Sequence, residues 1–481
     1  MKSMRKRFYI ETVGCQMNEL DSELVVAALQ EAGYEQVFQR QQADIILFNT
    51  CSVRQHAEDK IYSALGRLKH LKEQKPGKVI GVLGCMAQKD QELILKRAPH
   101  VDLVVGPGQV ARLPELLESL AQGKGPIMEV SLDRRGQPRQ KVQASFLNPD
   151  RQNRPIVRPV KHQAYVRVMF GCDKFCTYCI VPKVRGPEQS RSPQEILEEV
   201  RQLADQGCVE ITLLGQTVNS YRWQEPGRTI RLADLLERVH EVPGIQRIRF
   251  VTNYPRDMSR ELLQAVRDLP KICPYLHVPA QSGSNAVLKR MKRGYTIEEY
   301  YEMLASIRGI VPGAAITSDF IVGFCGETEE DFQQTVRLVE AARFKNSFIF
   351  KYSPRPGTKA YELFPDDVPD EVKRRRNNEL LAIQNRISLE ENQRFIGQTV
   401  EVLVEGPSKM AERQSEKNSS SIQLTGRTVC DRIVVFEGSA DLAGQFVKVT
   451  IKEVSPVTLF GELSLARLDT HADRLGAPVS A

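Results

Sequence analysis

The chain has 481 residues, of which 41% are hydrophobic and 26% are charged, a balance typical of a folded globular protein rather than a disordered one. At this length we expect about three domains, because single cores stop growing beyond roughly 250–300 residues. The 67 Lys and Arg against 60 Asp and Glu give a net charge of +7, a mild excess that suits either a polyanionic partner or an ordinary surface.

No targeting or membrane segment is predicted. The N-terminus, MKSMRKRFYIETVGC, has no apolar core of signal-peptide length, and no run approaches the roughly 20 apolar residues that cross a bilayer. We therefore expect a cytoplasmic protein with no membrane partner. Because disulfides are rare in that compartment, the spacing of the ten cysteines is interpreted first as metal ligation or catalysis.

The N-terminal part, residues 6–122, alternates apolar runs with amphipathic stretches. Strands are predicted in RFYIETVG, ADIILFNT, KVIGVLG and VDLVVG, with helices in DSELVVAALQEAG, AEDKIYSALGRLKHL and QELILKRA. This alternation predicts a parallel α/β domain with helices on the faces of its sheet. Residues 123–157 lack a hydrophobic period and are rich in Pro, Lys and Arg, which predicts a basic linker, either a plain tether or a polyanion contact.

The central part, residues 158–392, repeats the alternation six times. Strands are predicted at AYVRVMF, VEITLLG, QRIRFVT, PYLHVP, AAITSDFIVGF and SFIFKY. Six β-α units in series predict a partial (β/α)6 barrel, with ligand sites at the C-terminal ends of the strands.

The C-terminal part changes to short β-type runs. Residues 393–467 contain TVEVLVEG, SIQLTGR, RIVVFEG and QFVKVTIKEV without long helices, which predicts a small all-β barrel. A polar loop is predicted at 408–421 within it, and residues 468–481 are predicted to be a loose tail.

Cys172, Cys176 and Cys179 form C-x3-C-x2-C directly after the first central strand. Three thiolates on one short loop can bind three irons of a 4Fe-4S cubane, which leaves the fourth iron open to a substrate or cofactor. A structural zinc site is the alternative, but such sites take four ligands. The spacing therefore favours an iron-sulfur cluster with one vacant iron.

Cys15, Cys51 and Cys85 each follow a predicted strand. Because parallel strands end on the same edge of a sheet, their thiolates are expected to converge on one point. The alternative is three buried free cysteines, which commonly act as small hydrophobes. The remaining cysteines show no common spacing and are predicted to be structural: Cys208, Cys273, Cys325 and Cys430.

Taken together, these motifs resemble the tRNA methylthiotransferases of the radical S-adenosylmethionine superfamily. The likeness rests on GCQMNELDSE, NTCSVRQHAEDKIYSALGRL, GCDKFCTYCIVPKVRGPEQSR, HVPAQSGSNAVLKRMKRGYT, IVGFCGETEEDF and FKYSPRPGTKAY, and extends over residues 7–466. It implies an N-terminal methylthiotransferase domain, a radical S-adenosylmethionine core and a C-terminal TRAM domain that holds tRNA. It also implies a transferase that adds a methylthio group at C2 of the isopentenylated adenosine next to the anticodon.

The resemblance implies the cofactors as well. Cys15, Cys51 and Cys85 would hold an auxiliary 4Fe-4S cluster that binds the transferable sulfur, and Cys172, Cys176 and Cys179 would hold the cluster that binds S-adenosylmethionine. One S-adenosylmethionine would methylate the sulfur and a second would supply the radical that removes the inert aromatic hydrogen. The implied partners are the anticodon stem-loop of tRNA, an electron donor such as flavodoxin or ferredoxin, and a sulfur source.

Other residues have predicted roles from their positions. Those expected to face the cofactor or substrate, with a scaffold role as the alternative, are Tyr178, Gln216, Asn219, Gln281, Ser282 and Asp319. Arg185 and Arg191 are candidates for the tRNA phosphates, with a solvated surface as the alternative.

Several positions depart from the usual pattern of the family. Asn253 and Tyr254 stand where Ser-His is commoner, Cys325 replaces a Pro, and Pro187 replaces an Arg. They bear on substrate contacts rather than on the type of reaction. Two other functions fit the motifs: methylthiolation of threonylcarbamoyladenosine in tRNA or of a ribosomal-protein aspartate, and a non-catalytic tRNA-binding iron-sulfur protein. The open iron argues against the second, because a carrier gains nothing from a vacant site.

Overall fold

The computed structural model describes residues 6–52, 55–132, 160–414 and 421–464. Most of the predicted linker and the whole predicted tail at 468–481 lie outside these residues. Within the described ranges, no helix combines the length and the apolar character that a membrane span requires.

The N-terminal sheet has six parallel strands in the order β2-β1-β3-β4-β5-β6. Its strands are β1 (Arg7–Val13), β2 (Glu35–Gln36), β3 (Ile45–Thr50), β4 (Val79–Gly84), β5 (Leu103–Val105) and β6 (Ile127–Glu129). The four predicted strands are confirmed as β1, β3, β4 and β5. The structure adds β2 and β6 at the two edges, so the start of the predicted linker contributes a strand.

Helices cover both faces of this sheet. They are Gln16–Glu31, Gln55–Gln74, Cys85–Asp90, Glu92–Arg97 and Leu113–Ala121. Along β3, Ile46 and Phe48 enter one buried cluster, whereas Ile45 and Leu47 enter the other. Because successive side chains of a strand point to opposite faces, a strand covered on both sides must be apolar throughout.

The central domain contains two three-stranded parallel sheets, ordered β13-β10-β7 and β14-β15-β16. The strands of the domain are β7 (Gln163–Arg167), β8 (Met169–Phe170), β9 (Gln189–Ser190), β10 (Glu210–Leu214), β11 (Arg222–Glu225), β12 (Arg228–Arg231), β13 (Arg247–Phe250), β14 (Tyr275–His277), β15 (Ala315–Val322) and β16 (Asn346–Lys351). A parallel bridge between Ile248 and Ile272 joins the sheets. The six long parallel strands therefore follow chain order, as a partial barrel requires.

Nine helices of the described central domain are Val181–Arg185, Pro193–Asp205, Leu232–His240, Arg260–Asp268, Asn285–Met291, Ile297–Ile310, Glu329–Ala342, Lys359–Leu363 and Asp370–Gln393. Several begin at a Ser or Thr whose hydroxyl accepts a backbone N–H. Thr296 and Thr328 each form a full capping box with the acidic residue three positions on. These caps fix where the helices begin and so how the strand ends are spaced.

The C-terminal domain is a closed five-stranded barrel in the order β17-β18-β19-β21-β20. Its strands are β17 (Thr399–Pro407), β18 (Ile422–Arg427), β19 (Ile433–Gly438), β20 (Phe446–Val454) and β21 (Thr458–Leu463), with a helix at Lys409–Gln414. The four predicted strands are confirmed, and β21, which closes the barrel, was not predicted. Positions 415–420 of the predicted loop lie outside the described residues.

The small barrel docks at the N-terminal ends of the central strands. Arg247, the first residue of β13, pairs with Glu401 at 2.9 Å. Lys345, which precedes β16, pairs with Asp431 at 3.2 Å. The C-terminal ends of the central strands therefore lie on the opposite side, where the N-terminal domain packs.

Candidate functional site

The cysteines of the N-terminal sheet converge on one edge. Cys15 follows β1, Cys51 follows β3, and Cys85 follows β4, and these three strands are parallel neighbours. The thiol of Cys51 is hydrogen-bonded to Cys15. A Cβ atom placed on Gly14 would lie 2.8 Å from the Cβ of Cys51, so the two loops are in close contact. The structure thus brings Cys15, Cys51 and Cys85 together as an N-terminal triad.

A buried pair of hydrogen-bonded asparagines, Asn18 and Asn49, lies next to the N-terminal triad. Asn18 Nδ2 donates to Asn49 Oδ1 at 3.1 Å, and Asn49 Nδ2 returns a bond to the Asn18 carbonyl at 2.8 Å. The Cys15 thiol donates to Asn18 Oδ1 at 3.2 Å. The helix that begins after Cys15 is therefore tied to the end of β3, just before Cys51.

Cys15 and Cys85 differ in their electrostatic surroundings. The pKa of Cys15 is lowered to about 6, first by the hydrogen bond with Cys51 and then by the Arg185 guanidinium, although burial acts the other way. Burial raises the pKa of Cys85, and the charge of Arg185 opposes that rise. A positive charge next to thiols favours their thiolate form, which is the form that binds metal.

The loop after β8 carries three further cysteines, which we call the central triad: Cys172, Cys176 and Cys179. Two backbone contacts hold this loop: the Thr177 N–H bonds to the Met291 carbonyl at 3.0 Å, and the Ala360 N–H bonds to the Thr177 carbonyl at 2.7 Å. Burial raises the pKa of Cys172 to about 11 and that of Cys179 to about 12. These thiols are desolvated, as suits groups that are deprotonated only when a metal binds.

A buried arginine borders the central triad. Arg293 Nη1 lies 3.5 Å from the sulfur of Cys176 and 3.4 Å from the hydroxyl of Tyr178. Its other nitrogens donate to the Pro279 carbonyl at 2.7 Å and to the Tyr295 hydroxyl at 2.9 Å. Arg293 is therefore fixed in place and places a cation beside a ligand sulfur.

The two triads lie on either side of the interface between the N-terminal and central domains. Cys85 packs against Ile180, the residue after Cys179, and against Val184. Helix Gln16–Glu31 packs on the end of β10, where Met17 and Leu20 contact Leu214. Both triads therefore lie close to the interface of the two domains, at the C-terminal ends of the central strands.

Charged contacts lock the same interface. Asp21 of the N-terminal domain is fully buried and accepts hydrogen bonds from Arg167 and, at 2.8 Å, from Arg185. On the other side, Arg355 donates to the carbonyl of Ser52, next to Cys51. The relative position of the two triads is thus set by buried ion pairs, whose partners cannot separate cheaply.

Each triad supplies three free thiols, one fewer than the four ligands of a structural zinc site. In a 4Fe-4S cubane each thiolate binds its own iron, so three thiolates leave one iron open. The two donor sets therefore fit 4Fe-4S clusters with one open iron.

Several buried polar atoms lack a hydrogen-bond partner in the described structure, and three of them are amide or carboxylate oxygens on or just after central strands. These three are Gln216 Oε1 after β10, Asn253 Oδ1 after β13 and Asp319 Oδ1 on β15. Buried acceptors without a partner are costly and mark places where a ligand supplies the donor. An amino-acid group with a free ammonium, such as that of S-adenosylmethionine, has the donors that these atoms lack.

Comparison with known proteins agrees with this geometry. Residues 7–106 match the family described as "Uncharacterized protein family UPF0004", residues 166–339 match the "Radical SAM superfamily", and residues 393–464 match the "TRAM domain". The chain is 59% identical over 463 residues to a tRNA-2-methylthio-N(6)-dimethylallyladenosine synthase of Rhodopirellula baltica, covering 96% of each chain. A Moorella thermoacetica protein of the same name is 44% identical over 469 residues, covering 96% of this chain and 99% of that protein. The chain belongs to the tRNA-2-methylthio-N(6)-dimethylallyladenosine synthase family.

Membership in this synthase family confirms the resemblance found in the sequence. The chain is a radical S-adenosylmethionine enzyme and a transferase, with S-adenosylmethionine and 4Fe-4S clusters as its cofactors. Among solved structures, the radical S-adenosylmethionine methyltransferase TsrM of Kitasatospora setae aligns with a TM-score of 0.54 at 14% identity, covering 74% of each chain. At that identity the likeness concerns the fold alone, which confirms the predicted α/β class.

Two of the predicted site residues are held by other residues of the chain. Arg185 is buried on Asp21, and Arg191 donates to the Arg167 carbonyl at 2.7 Å and pairs with Glu199 at 2.6 Å. Arg185 is buried and Arg191 is 12% exposed, so these contacts give the predicted role in binding tRNA phosphates no support and it stays a prediction. A basic residue in a sequence suggests a surface position unless its acidic partner is known.

The predicted cofactor-facing residues divide into two groups. Gln216 and Asp319 carry the unpartnered atoms described above. By contrast, Asn219 is bound to the backbone of Tyr254 by two hydrogen bonds, at 2.8 and 2.7 Å, and Ser282 turns inward to Thr335 at 3.4 Å. Asn219 and Ser282 are therefore scaffold residues in this structure.

The remaining predicted residues lie close to the site. Gln281, at φ +72°, bridges β15 through its backbone, with its N–H bonded to the Asp319 carbonyl at 2.8 Å. Tyr178 lies beside the central triad. Cys325 is buried with Phe324 and Tyr352 in an apolar cluster against which Tyr178 also packs.

Sequence reasoning missed Arg293 and the buried Asp21. Arg293 contacts a ligand sulfur, yet it lies more than a hundred positions from the cysteine loop along the chain, and no spacing rule connects the two. Asn253, noted only as a departure, carries one of the three unpartnered acceptors. The available signal was its position directly after a strand, the same signal that identified Gln216.

Proposed function

We propose that this chain methylthiolates C2 of N6-isopentenyladenosine next to the anticodon of tRNA and yields 2-methylthio-N6-isopentenyladenosine. The observation that carries the proposal is the packing of Cys85 with Ile180 and Val184, which brings a cysteine of the N-terminal domain next to the residue that follows Cys179. The names of relatives that match along 96% of the chain support the choice of substrate.

Each triad would hold one 4Fe-4S cluster. The N-terminal triad would hold the cluster that carries the transferable sulfur, and the central triad would hold the cluster that binds S-adenosylmethionine. When bound, these groups supply a nucleophilic sulfur and a carbon radical able to remove an aromatic hydrogen. Two S-adenosylmethionine molecules would be consumed per product, one for the methyl group and one for the radical.

The residues of the chain position and shield this chemistry. Gln216, Asn253 and Asp319 would accept hydrogen bonds from the polar groups of S-adenosylmethionine. Arg293 holds the Cys176 loop through its contacts with the Cys176 sulfur, the Tyr178 hydroxyl and the Pro279 carbonyl, and would keep Cys176 in place as a cluster ligand. Holding two reactants in one geometry can replace a large part of a bimolecular barrier, and the fixed interface serves that purpose.

The partners follow from the substrate. The C-terminal barrel, residues 393–464 by its family match, would bind the tRNA, and the reaction needs an electron donor and a sulfur source, in the cytoplasm where tRNA is modified. We propose the division 6–122, 158–392 and 393–467 for the three functional domains, with 123–157 as their linker.

Nucleoside mass spectrometry after anaerobic turnover tests the proposal. Reconstituted protein would be given S-adenosylmethionine, a reductant and tRNA carrying either isopentenyl or threonylcarbamoyl adenosine. A methylthio product from the isopentenyl tRNA alone supports the proposal, and product from the other tRNA alone changes the substrate. Absence of product with both clusters loaded, or one S-adenosylmethionine consumed per product, would contradict it.

A further inference from the structure

Arg185 is a buried cation whose two terminal nitrogens have different surroundings. Its side chain is 3% exposed, and Nη2 donates to Asp21 Oδ2 at 2.8 Å. Nη1 is buried and makes no hydrogen bond of standard geometry, while the side chain lies within hydrogen-bonding reach of the Cys85 thiol and acts to lower its pKa. A buried guanidinium normally satisfies its donors, because each unpaired N–H loses its bond to water without a replacement.

Asp21 fixes the direction in which this nitrogen points. The carboxylate binds Arg185 through Oδ2 and Arg167 through Oδ1, so both of its oxygens are used. Both guanidinium groups also stack over the ring of Phe170, at 5.3 Å for Arg185 and 5.5 Å for Arg167. The Arg185 guanidinium therefore has little freedom to rotate and point Nη1 in another direction.

The Arg185 guanidinium lies beside the N-terminal triad. Its positive charge acts on the thiols of both Cys15 and Cys85, favouring their charged forms. Val184, the preceding residue, packs directly against Cys85. Arg185 belongs to the central domain, so this cation reaches the triad across the domain interface.

We propose that Arg185 is a positioning residue whose Nη1 donates a hydrogen bond to anionic sulfur held at the N-terminal triad. The sulfur is either a sulfide of the cluster or the additional sulfur that awaits transfer. This inference rests on the proposed function, since it requires that the N-terminal triad hold a cluster. A hydrogen bond to sulfur stabilises the more negative, reduced state of a cluster and so raises its reduction potential.

The arrangement gives the central domain control over the sulfur of the N-terminal domain. Because Arg185 lies six positions after Cys179, any displacement of the central loop would move the donor relative to the sulfur. Arg185 then holds the sulfur, and raises the reduction potential of the cluster, only while the two domains are docked through Asp21.

The test uses the full chain with Cys172, Cys176 and Cys179 changed to Ala, so that a single cluster is loaded. In this background, Arg185→Lys is compared with Arg167→Lys. Both substitutions keep a cation on Asp21 and weaken the same buried ion pairs, but only the first removes the guanidinium that lies beside the triad. The reduction potential is measured by titration followed by electron paramagnetic resonance, with and without added methanethiolate.

For a bond to cluster sulfide, Arg185→Lys lowers the potential without any added thiol, and Arg167→Lys leaves it unchanged. For a bond to the additional sulfur, Arg185→Lys weakens methanethiolate binding about tenfold or more and leaves the potential of the thiol-free cluster unchanged. Equal behaviour of the two variants in both measurements would overturn the inference. Loss of iron from the background protein itself would instead overturn the proposed function, and thermal unfolding of each variant separates both results from misfolding.

Discussion

Cys85 of the N-terminal sheet lies in contact with Ile180, the residue that follows the last cysteine of the central loop. The two residues come from different domains, and each belongs to or adjoins a cysteine triad. The packing of these two side chains therefore fixes the position of Cys85 relative to the loop that carries the central triad. In the proposed reaction, a fixed separation would let the sulfur and the radical act on one substrate without a large domain movement.

Replacing Ile180 by Ala would test whether this contact couples the two reactions. The lost side chain leaves a cavity that costs about 2–5 kcal/mol in a buried position and opens the interface. We expect both clusters to assemble, with 5′-deoxyadenosine still formed but several-fold less methylthio product per molecule cleaved. Chromatography of both products from one reaction measures this ratio. Ile94→Ala, at an equally buried site away from the interface, is the control and should keep the ratio unchanged.

Gly84, directly before Cys85, has a backbone that disfavours any side chain. It lies at φ +89°, and an added Cβ would be 2.8 Å from the carbonyl oxygen of Thr50. Gly84→Ala should cost about 1–3 kcal/mol and displace Cys85, so iron bound per chain should fall toward one cluster. Gly33→Ala is a matched control, because Gly33 has φ +87° but open space around it. Equal iron contents of the two variants after reconstitution would contradict the expectation.

Arg293 holds the central loop by contacts that only a guanidinium can make together. Lys at this position keeps the charge but loses the separated donors to Cys176, Pro279 and Tyr295, at a cost of about 1–3 kcal/mol for the groups left unpaired. We expect Arg293→Lys to lose iron from the central cluster while the N-terminal one is kept. Iron and sulfide analysis with electron paramagnetic resonance distinguishes the two clusters. Arg290→Lys alters a nearby arginine that bonds Gly326 instead, and should keep both clusters.

The sequence predicted the strands and the two cysteine triads because both follow from local rules. Apolar runs predict the strands, and parallel strands must end on one edge, so cysteines placed after them converge. Arg185 could not be placed in the same way, since its partner Asp21 lies 164 positions away. The sequence also could not show that Ser282 and Asp319 differ in role. Both are polar residues on or near central strands, and only packing decides that Ser282 turns toward Thr335. The direction of a side chain in a loop depends on tertiary packing, which the spacing of residues along the chain does not show.

Lys345 gives the docking of the small barrel a dependence on pH. Burial lowers its pKa to about 8, although Asp431 acts in the opposite direction, while an unburied lysine titrates near 10.5. Because the pKa in the folded chain is the lower one, the unfolded chain binds more protons between about pH 8 and 10.5, and this group's contribution to stability rises with pH through that window. Below about pH 8 the cost of charging the buried amine is present in full.

Urea unfolding of wild type and Lys345→Met at several pH values from 7 to 10 checks this expectation. The stability of wild type relative to the variant should rise with pH, by up to about 1.4 kcal/mol per pH unit inside the window. Lys351→Met removes an exposed lysine from the end of the same strand and serves as the control. Parallel curves for wild type and Lys345→Met would show that another group is responsible.

Asp319 provides the sharpest test of the proposed cofactor contacts, because one of its oxygens is buried without a partner while the other lies 3.5 Å from His277 Nε2. Asp319→Asn keeps the size of the side chain and removes its charge, so a charged hydrogen bond that the carboxylate accepts from a polar group of S-adenosylmethionine would weaken by about 1.5–3 kcal/mol. The dissociation constant for S-adenosylmethionine should then rise about tenfold to a hundredfold, measured by equilibrium dialysis with the clusters loaded.

Ser282→Ala is the paired control. The Ser282 hydroxyl contacts Thr335 and accepts from the Ser284 N–H, so the free energy of unfolding should fall by about 1 kcal/mol while the dissociation constant is unchanged. If both variants bound the cofactor as wild type does, the unpartnered oxygen of Asp319 would need another ligand, and the tRNA base would be the first to try.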